Sequence, residues 1–388
     1  MADVGDEAAR WLSGRTAALE AALKPLVEVN SFTENVEGGR EVGRLLAEQW
    51  ALPGLSLEVA RSARFADHLV FRTTGAAGFR PISLVGHLDT VFPPGKFEGY
   101  RIDGDLRRGP GTLDMKGGLV VVGAALRALS ETAGLARLPP LRIVVVSDEE
   151  VGSPEGQAVI RSVCAGSAAA LVLESGRAED AIITRRKGTG GLEAMAHGKA
   201  AHAGNHHADG ANALWAVARF VDMAQGLTDY PRGITVNVGK VLGGQGKNTV
   251  PDYAEAHVDI RFCTHADGEA LVASLQAAAQ RAATSVPGTR LELSGGISRE
   301  PLERSPASAA LLQAYAACAV ASGLGGGEAA LIGGGSDAST TSACGIPSID
   351  GLGPRGKGFH TIEEHIEVRT LVPKAQALAR FLASRTAG

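Results

Sequence analysis

The chain has 388 residues, of which 45% are hydrophobic and 21% charged, with a formal net charge of -4. That length exceeds what one hydrophobic core usually organises, so two domains are expected; with no basic block and no apolar run near the roughly 20 residues that span a bilayer, neither nucleic acid nor membrane is an expected partner. Cys164, Cys263, Cys318 and Cys344 are scattered without a CxxC pair, and the N-terminus is acidic where a signal peptide would be basic, so a reduced, cytoplasmic setting and small-molecule partners are expected.

A helical pattern over residues 38–50 leads into short apolar runs at 69–71 and 82–85, each of strand length. A helix at 119–129, a strand at 141–146, a helix around 156–163 and a strand at 169–173 follow. This alternation predicts the α/β class, with a mostly parallel sheet flanked by helices. From about residue 185 the texture changes to strands at 192–197, 234–241 and 254–262 with helices at 211–223 and 268–283, which reads as a smaller α+β unit. The chain then returns to a helix at 307–321, a strand at 346–349 and a final helix at 371–383. The expected organisation is a discontinuous catalytic domain of residues 1–184 and 298–388, interrupted by an inserted domain of 185–297.

Polar residues fall where the apolar runs end. The strand at 82–86 runs straight into His87-Leu88-Asp89, the one at 141–146 into Ser147-Asp148-Glu149-Glu150, and the one at 169–173 into Glu174. Ligands of open α/β sheets sit beyond the carboxyl ends of strands, so these ends are expected to converge on one site. Adjacent carboxylates on a buried strand tip repel unless a cation or a shared proton relieves them. Asp89, two residues beyond His87 on an extended strand, shares its face and can accept its second ring proton. Asp114 lies between glycine-rich turns just before an apolar helix and reads either as a helix cap or as a ligand. His360, on a glycine-rich loop, is by itself as compatible with a structural role. Carboxylates and imidazoles without thiolates suit catalytic zinc, with cobalt or manganese as substitutes.

Five segments sharpen this reading: Gly-His-Leu-Asp-Thr-Val-Phe (86–92), Gly-Pro-Gly-Thr-Leu-Asp-Met-Lys-Gly-Gly (109–118), Asp-Glu-Glu-Val-Gly-Ser (148–153), Gly-Lys-Ala-Ala-His-Ala-Gly (198–204) and Gly-Gly-Gly-Ser-Asp-Ala (333–338). In this order they resemble the di-zinc family of carboxypeptidase G, aminoacylase, acetylornithine deacetylase and succinyl-diaminopimelate desuccinylase, over nearly the whole chain and with the carboxypeptidase G branch nearest. The resemblance implies two Zn2+ per chain, one held by His87 and Glu174, the other by Glu150 and His360, with Asp114 bridging both. It implies Glu149 as general base and Asp89 as the residue orienting His87. His202 matches the histidine that family members supply from a partner subunit to the oxyanion, so a homodimer through an inserted lid and dimerisation domain is implied. Asn248 and Arg261 resemble substrate-holding residues, the arginine as a carboxylate clamp. Around Gly335 and Ser336 bare backbone amides could approach a bound carboxylate. The implied reaction is cleavage of an amide beside a free carboxylate, releasing a C-terminal amino acid such as glutamate; deacylation of an N-acyl amino acid, of aminoacylase or desuccinylase type, and dipeptide hydrolysis are the alternatives.

One competing motif is set aside. Gly351-Leu352-Gly353-Pro354-Arg355-Gly356 spells GxGxxG, but its proline and the Lys357-Gly358-Phe359 that follows leave no helix N-terminus for a pyrophosphate. No GxSxG nucleophile elbow occurs.

Overall fold

The computed structural model describes residues 3–385, so the acidic N-terminal stretch read above begins outside the described residues at Met1 and Ala2. The chain divides into two compact units, one comprising residues up to 185, 304–331 and those from 336 on, the other comprising 186–303 and 332–335.

The first unit opens with α1 (Val4–Leu12), α2 (Thr16–Glu28) and α3 (Val36–Gln49). Asp3 and Asn35 cap α1 and α3 by accepting from the Gly5 and Gly38 amides. There follow β1 (Leu55–Ala60), β2 (His68–Thr73), β3 (Ile82–His87), β4 (Arg101–Asp103), β5 (Leu106–Arg108), α4 (Gly117–Thr132), β6 (Leu141–Val146), α5 (Gly156–Cys164) and β7 (Ala169–Val172). The second unit holds β8 (Gly188–His197), β9 (Ala201–His202), α6 (Ala213–Gln225), β10 (Thr235–Gly243), β11 (Thr249–Val250), β12 (Tyr253–Phe262), α7 (His265–Ser285) and β13 (Arg290–Arg299). The first unit is completed by α8 (Pro306–Ala321), α9 (Asp337–Ala343), β14 (Ser348–Ile349), β15 (Gly356–Lys357), β16 (His365–Glu367) and α10 (Leu371–Ser384).

Its main sheet has the order β1-β2-β6-β3-β7-β14; β1–β2 and β2–β6 are antiparallel, the other neighbours parallel. All six residues of β3 are buried, as a strand covered on both faces must be. Leu84, Ile143 and Leu171 turn one way into a core shared with Leu12, Leu23, Leu129 and Phe381. Val146 turns the other way, towards α5, whose Gly156 lies against it closely enough that an added Cβ would come within 2.9 Å of the valine. Fully burying side chains of this size contributes about 1.5–3 kcal/mol each, so the position of the sheet is fixed by many independent terms.

The second unit is a four-stranded antiparallel sheet, β10-β12-β8-β13, with α6 and α7 packed on one face. Burial alternates along β12, where Ala254, Ala256, Val258, Ile260 and Phe262 face the helices. β9 and β11 form a separate two-stranded ribbon.

The α/β class holds, and the structure differs from expectation in detail. The strand expected at 346–349 shrinks to Ser348–Ile349, because Pro347 has no amide for the ladder and the Ile346 amide donates to Thr341 at the end of α9. A four-stranded sheet, β15-β16-β5-β4, was not expected; its strands have two or three residues each, too few to show a period. After the GxGxxG-like run the chain enters β15, not a helix. No helix among the described residues is long and apolar enough to cross a membrane.

Candidate metal centre

β6, β3 and β7 are consecutive and parallel, so their carboxyl ends share one edge of the sheet. That topology brings His87, the Glu149-Glu150 turn and Glu174 together. Asp114 arrives from the loop before α4, and His360 from the loop between β15 and β16.

His87 Nε2 lies 3.4 Å from Asp114 Oδ1 and 3.5 Å from Glu174 Oε1. His360 Nε2 lies 3.4 Å from Asp114 Oδ2 and 3.1 Å from Glu150 Oε2. Asp114 therefore turns one oxygen to each imidazole. Donor atoms of His87, Glu149 and Glu174, and likewise of His87, Asp114 and Glu150, all fall within 4.8 Å of one another. His87 Nε2 and Asp114 Oδ1 are buried with no hydrogen-bond partner among the described residues, a costly state for polar atoms that a coordinated cation relieves.

The electrostatics point the same way. Burial pushes Glu150 up to about 8, with Asp114 and Glu149 adding to the rise, and pushes Glu174 well above the ordinary carboxylate range. Burial also opposes ionisation of Asp114, yet the facing His360 and His87 hold it well below the usual range. His360 is raised to about 10 by Asp114 and Glu150. For His87, burial works against the charge, but Asp114, Asp89 and Glu174 override it and raise the imidazole. Four carboxylates thus face two imidazoles at one sheet edge. This is a surplus of negative charge, and nitrogen and oxygen donors without sulfur fit zinc or a similar divalent metal.

Asp89 does more than the sequence suggested. The ring Nδ1 of His87 lies 3.1 Å from the Asp89 carbonyl and 3.3 Å from its Oδ1, which leaves Nε2 for the site. The Asp89 carboxylate also accepts the Glu149 amide at 3.2 Å, the Glu150 amide at 3.2 Å and the Thr33 hydroxyl at 2.7 Å, so one side chain orients three of the site's residues. Asp114 is not a helix cap: its backbone is extended (φ -122°, ψ 92°), and α4 starts without a side-chain cap. Asp148, by contrast, accepts the Glu155 and Gly156 amides at 2.8 and 3.0 Å at the start of α5.

Two contributors were not singled out from the sequence, although Lys116 lies within the 109–118 segment. Glu364, 1% exposed, accepts the amides of Gly111 (3.2 Å), Leu113 (2.8 Å) and Asp114 (3.0 Å), tying the Asp114 loop to the segment that carries His360. Burial raises it to about 7. Lys116, fully buried and lowered by that burial to about 7, donates to the carbonyls of Leu26 (2.8 Å) and Val29 (3.0 Å) and fixes the other side of the same loop. His360 itself has φ 62°, a left-handed backbone that a non-glycine residue holds only when its surroundings enforce it.

Of the remaining candidates, Ser336 belongs to the first unit and the others to the second. His202 is exposed on β9, opposite Thr249, and its Nδ1 accepts the Gly204 and Asn205 amides at 3.1 Å each, so the neutral ring carries its proton on Nε2. Asn248 is exposed, and its carbonyl accepts the Ala203 amide at 2.9 Å, which keeps it beside His202. Arg261 stands apart on β12, where its guanidinium donates to both oxygens of Asp259 at 2.9 Å. Gly335 leaves room for the Arg299 side chain, whose Cδ would lie 2.6 Å from an added Cβ. Ser336 is buried; its hydroxyl caps α9 and donates to Asp350 at 2.6 Å, so the side chain is committed to the fold.

Residues 184–286 match the family model described as a peptidase dimerisation domain of the M20 type. Carboxypeptidase G2 of Pseudomonas sp. (strain RS-16) is 26% identical over 379 residues, covering 96% of this chain and 90% of the relative. Among solved structures, aminopeptidase PepT from Bacillus cereus superposes with a TM-score of 0.81 at 23% identity, over 96% of this chain and 99% of that one. The YXEP protein of Bacillus subtilis, described as a dinuclear metal binding peptidase, superposes with a TM-score of 0.70 at 16% identity, over 96% and 98%. The fold is the one these peptidases share. Residues 184–286 thus carry the likeness to the M20 dimerisation domain, and the chain as a whole is similar to carboxypeptidase G2.

Proposed function

We propose that this chain is a cytoplasmic di-zinc carboxypeptidase that hydrolyses an amide beside a free carboxylate and releases a C-terminal amino acid such as glutamate. The observation that carries the reading is Asp114, with one oxygen facing His87 and the other facing His360. In this reading His87 and Glu174 hold one Zn2+, Glu150 and His360 hold the second, and Asp114 is shared. Two divalent ions would balance the four carboxylates Asp114, Glu149, Glu150 and Glu174. When bound, they supply Lewis acidity to a carbonyl and bring the pKa of a water down towards about 7.

The chain's own residues supply the rest. Glu149, its amide held by Asp89, takes a proton from the attacking water and returns it to the departing nitrogen. Water adds to the carbonyl carbon, the C–N bond breaks, the acyl fragment leaves as a carboxylate and the amino acid as an amine. His202, with its proton on Nε2, is a donor for the oxyanion, acting on a partner subunit's site in a homodimer. Arg261 and Asn248 hold the carboxylate of the leaving amino acid; Arg261 already binds a carboxylate in the bidentate geometry required, that of Asp259.

The test is Glu149→Gln, compared with the native enzyme on acyl-glutamates, folyl-type conjugates, N-acetyl and N-succinyl amino acids and dipeptides, with and without chelator. Turnover should fall by about 10^2- to 10^4-fold while metal content, measured by mass spectrometry, stays at the native level. Retained turnover overturns the role of Glu149, and preferential cleavage of N-acetyl substrates moves the enzyme to the deacylases.

A further inference from the structure

In the second unit one face of the sheet packs against α6 and α7, and the other carries the polar side chains. On that open face Tyr253, Glu255, His257, Asp259 and Arg261 follow one another along β12 at every second position, as strand geometry requires. β8 pairs with β12 over its whole length in antiparallel register, and Glu193 stands directly opposite His257.

Three side chains converge there. One donor atom from each of Glu193, Glu255 and His257 lies within 4.8 Å of the other two. His257 Nε2 is 3.1 Å from Glu255 Oε1. That is close to the roughly 3.3 Å between two ligands of a tetrahedral ion with bonds of about 2.0–2.1 Å. The second Glu255 oxygen is already engaged: it accepts the Tyr253 hydroxyl at 2.5 Å, and the Tyr253 ring stands edge-on to His197 with centroids 5.5 Å apart. Tyr253 and His197 thereby orient the carboxylate and leave Oε1 to the cluster, as outer partners do for the ligands of metal sites. The Glu193 carboxylate is half-buried and makes no hydrogen bond or ion pair with another described residue. Lys240, exposed on β10 opposite His257, sets one screened positive charge against two carboxylates and leaves a negative surplus.

We propose that Glu193, Glu255 and His257 form a further divalent-metal site of the zinc type, carried wholly by the second unit. One imidazole and two carboxylates without sulfur suit Zn2+, with water in the fourth position. The ligands stand on neighbouring, fully paired strands, so a rigid element presents them. They are more open to solvent than the buried cluster of the first unit, and this site therefore fills after that one as zinc rises. The ion joins side chains of strands already laced by their own ladder, so its loss leaves the backbone hydrogen bonds of β8 and β12 in place. Arg261, four residues beyond His257 and paired with Asp259, is not a ligand. The site stands independently of the amide-hydrolase reading.

The experiment titrates Zn2+ calorimetrically into the full chain, in the native protein, Glu193→Gln, His257→Ala, the double variant and a His206→Ala/His207→Ala control. After the tighter sites are filled, the native protein should take up one further ion per chain. Glu193→Gln and His257→Ala should each weaken that last step at least tenfold, the double variant should lose it, and the control should keep it. No further ion in the native protein, a last step indifferent to Glu193 and His257, or one that disappears in the control overturns the proposal. A second measurement needs no variant: modification of histidines by diethyl pyrocarbonate is mapped by mass spectrometry with and without saturating zinc. Zinc should protect His257 at least tenfold and leave His207 reactive. Protection of His257 no greater than that of His207 marks an adventitious ion only and overturns the site.

Discussion

His87 is 1% exposed, with one ring nitrogen beside Asp89 and the other facing Asp114 and Glu174; His202 stands exposed on a two-residue strand, its ring fixed only by the amides of residues two and three places on. The same contrast runs through the units that carry them. In the first unit the chemistry-bearing side chains are held by partners far away in sequence, such as Glu364 on Asp114 and Asp89 on Glu149 and Glu150. In the second, the side chains of His202 and Arg261 keep to partners within three residues, Asn248 is tied through its backbone carbonyl to the Ala203 amide, and all three remain at least partly open to solvent. On the proposed reading, the ligands of the metal centre are fixed before an ion arrives by long-range ties, and the groups assigned to the substrate are preset by a tautomer or a paired charge.

The largest effect expected from this contrast follows metal removal. Chelation should abolish activity and lower stability by about 4 kcal/mol for each metal site, if each metal is normally present at a thousandfold its Kd. Hydrogen exchange should then quicken at residues 111–116, 148–152 and 358–364 and stay unaltered along β8 and β12. Equal quickening in both units would break the contrast. Next in size is Glu364→Ala, which orphans three backbone amides at roughly 1–3 kcal/mol each and should weaken zinc about 10- to 100-fold in a competition titration, with Glu364→Gln intermediate. Native zinc affinity in the alanine variant would show that the loop holds itself. Smallest in its effect on the fold is His202→Ala: kcat should drop about 10^2- to 10^3-fold, while melting temperature and metal content remain native. A loss of metal there would mean that the exposed histidine belongs to the centre after all.

Much of the site was legible because strands announce their ends. His87, Glu149, Glu150 and Glu174 each follow an apolar run, and the parallel order β6-β3-β7 collects those ends on one edge. Asp114 could be read two ways, since a lone aspartate before a helix looks like a cap; only the extended backbone and the two facing imidazoles settle where its carboxylate goes. Glu364 was invisible because its partners are backbone amides, which leave no mark on side-chain pattern. β13 was missed because Ser294-Gly295-Gly296 interrupts the alternation that signals a strand, and the capping role of the Ser336 hydroxyl was not read because a glycine-rich loop hides the helix start behind it.

The tie between Asp114 and Glu364 spans 250 residues, and that separation has a consequence in time. At a synthesis rate of about 5–20 residues per second, the aspartate emerges roughly 12 to 50 s before the glutamate that will position it and the histidine that will face it. During that interval the nascent chain carries the acidic half of the centre without His360. Completion of the site is thereby a late event in the life of each molecule, and hydrolytic competence is withheld until most of the first unit has been made.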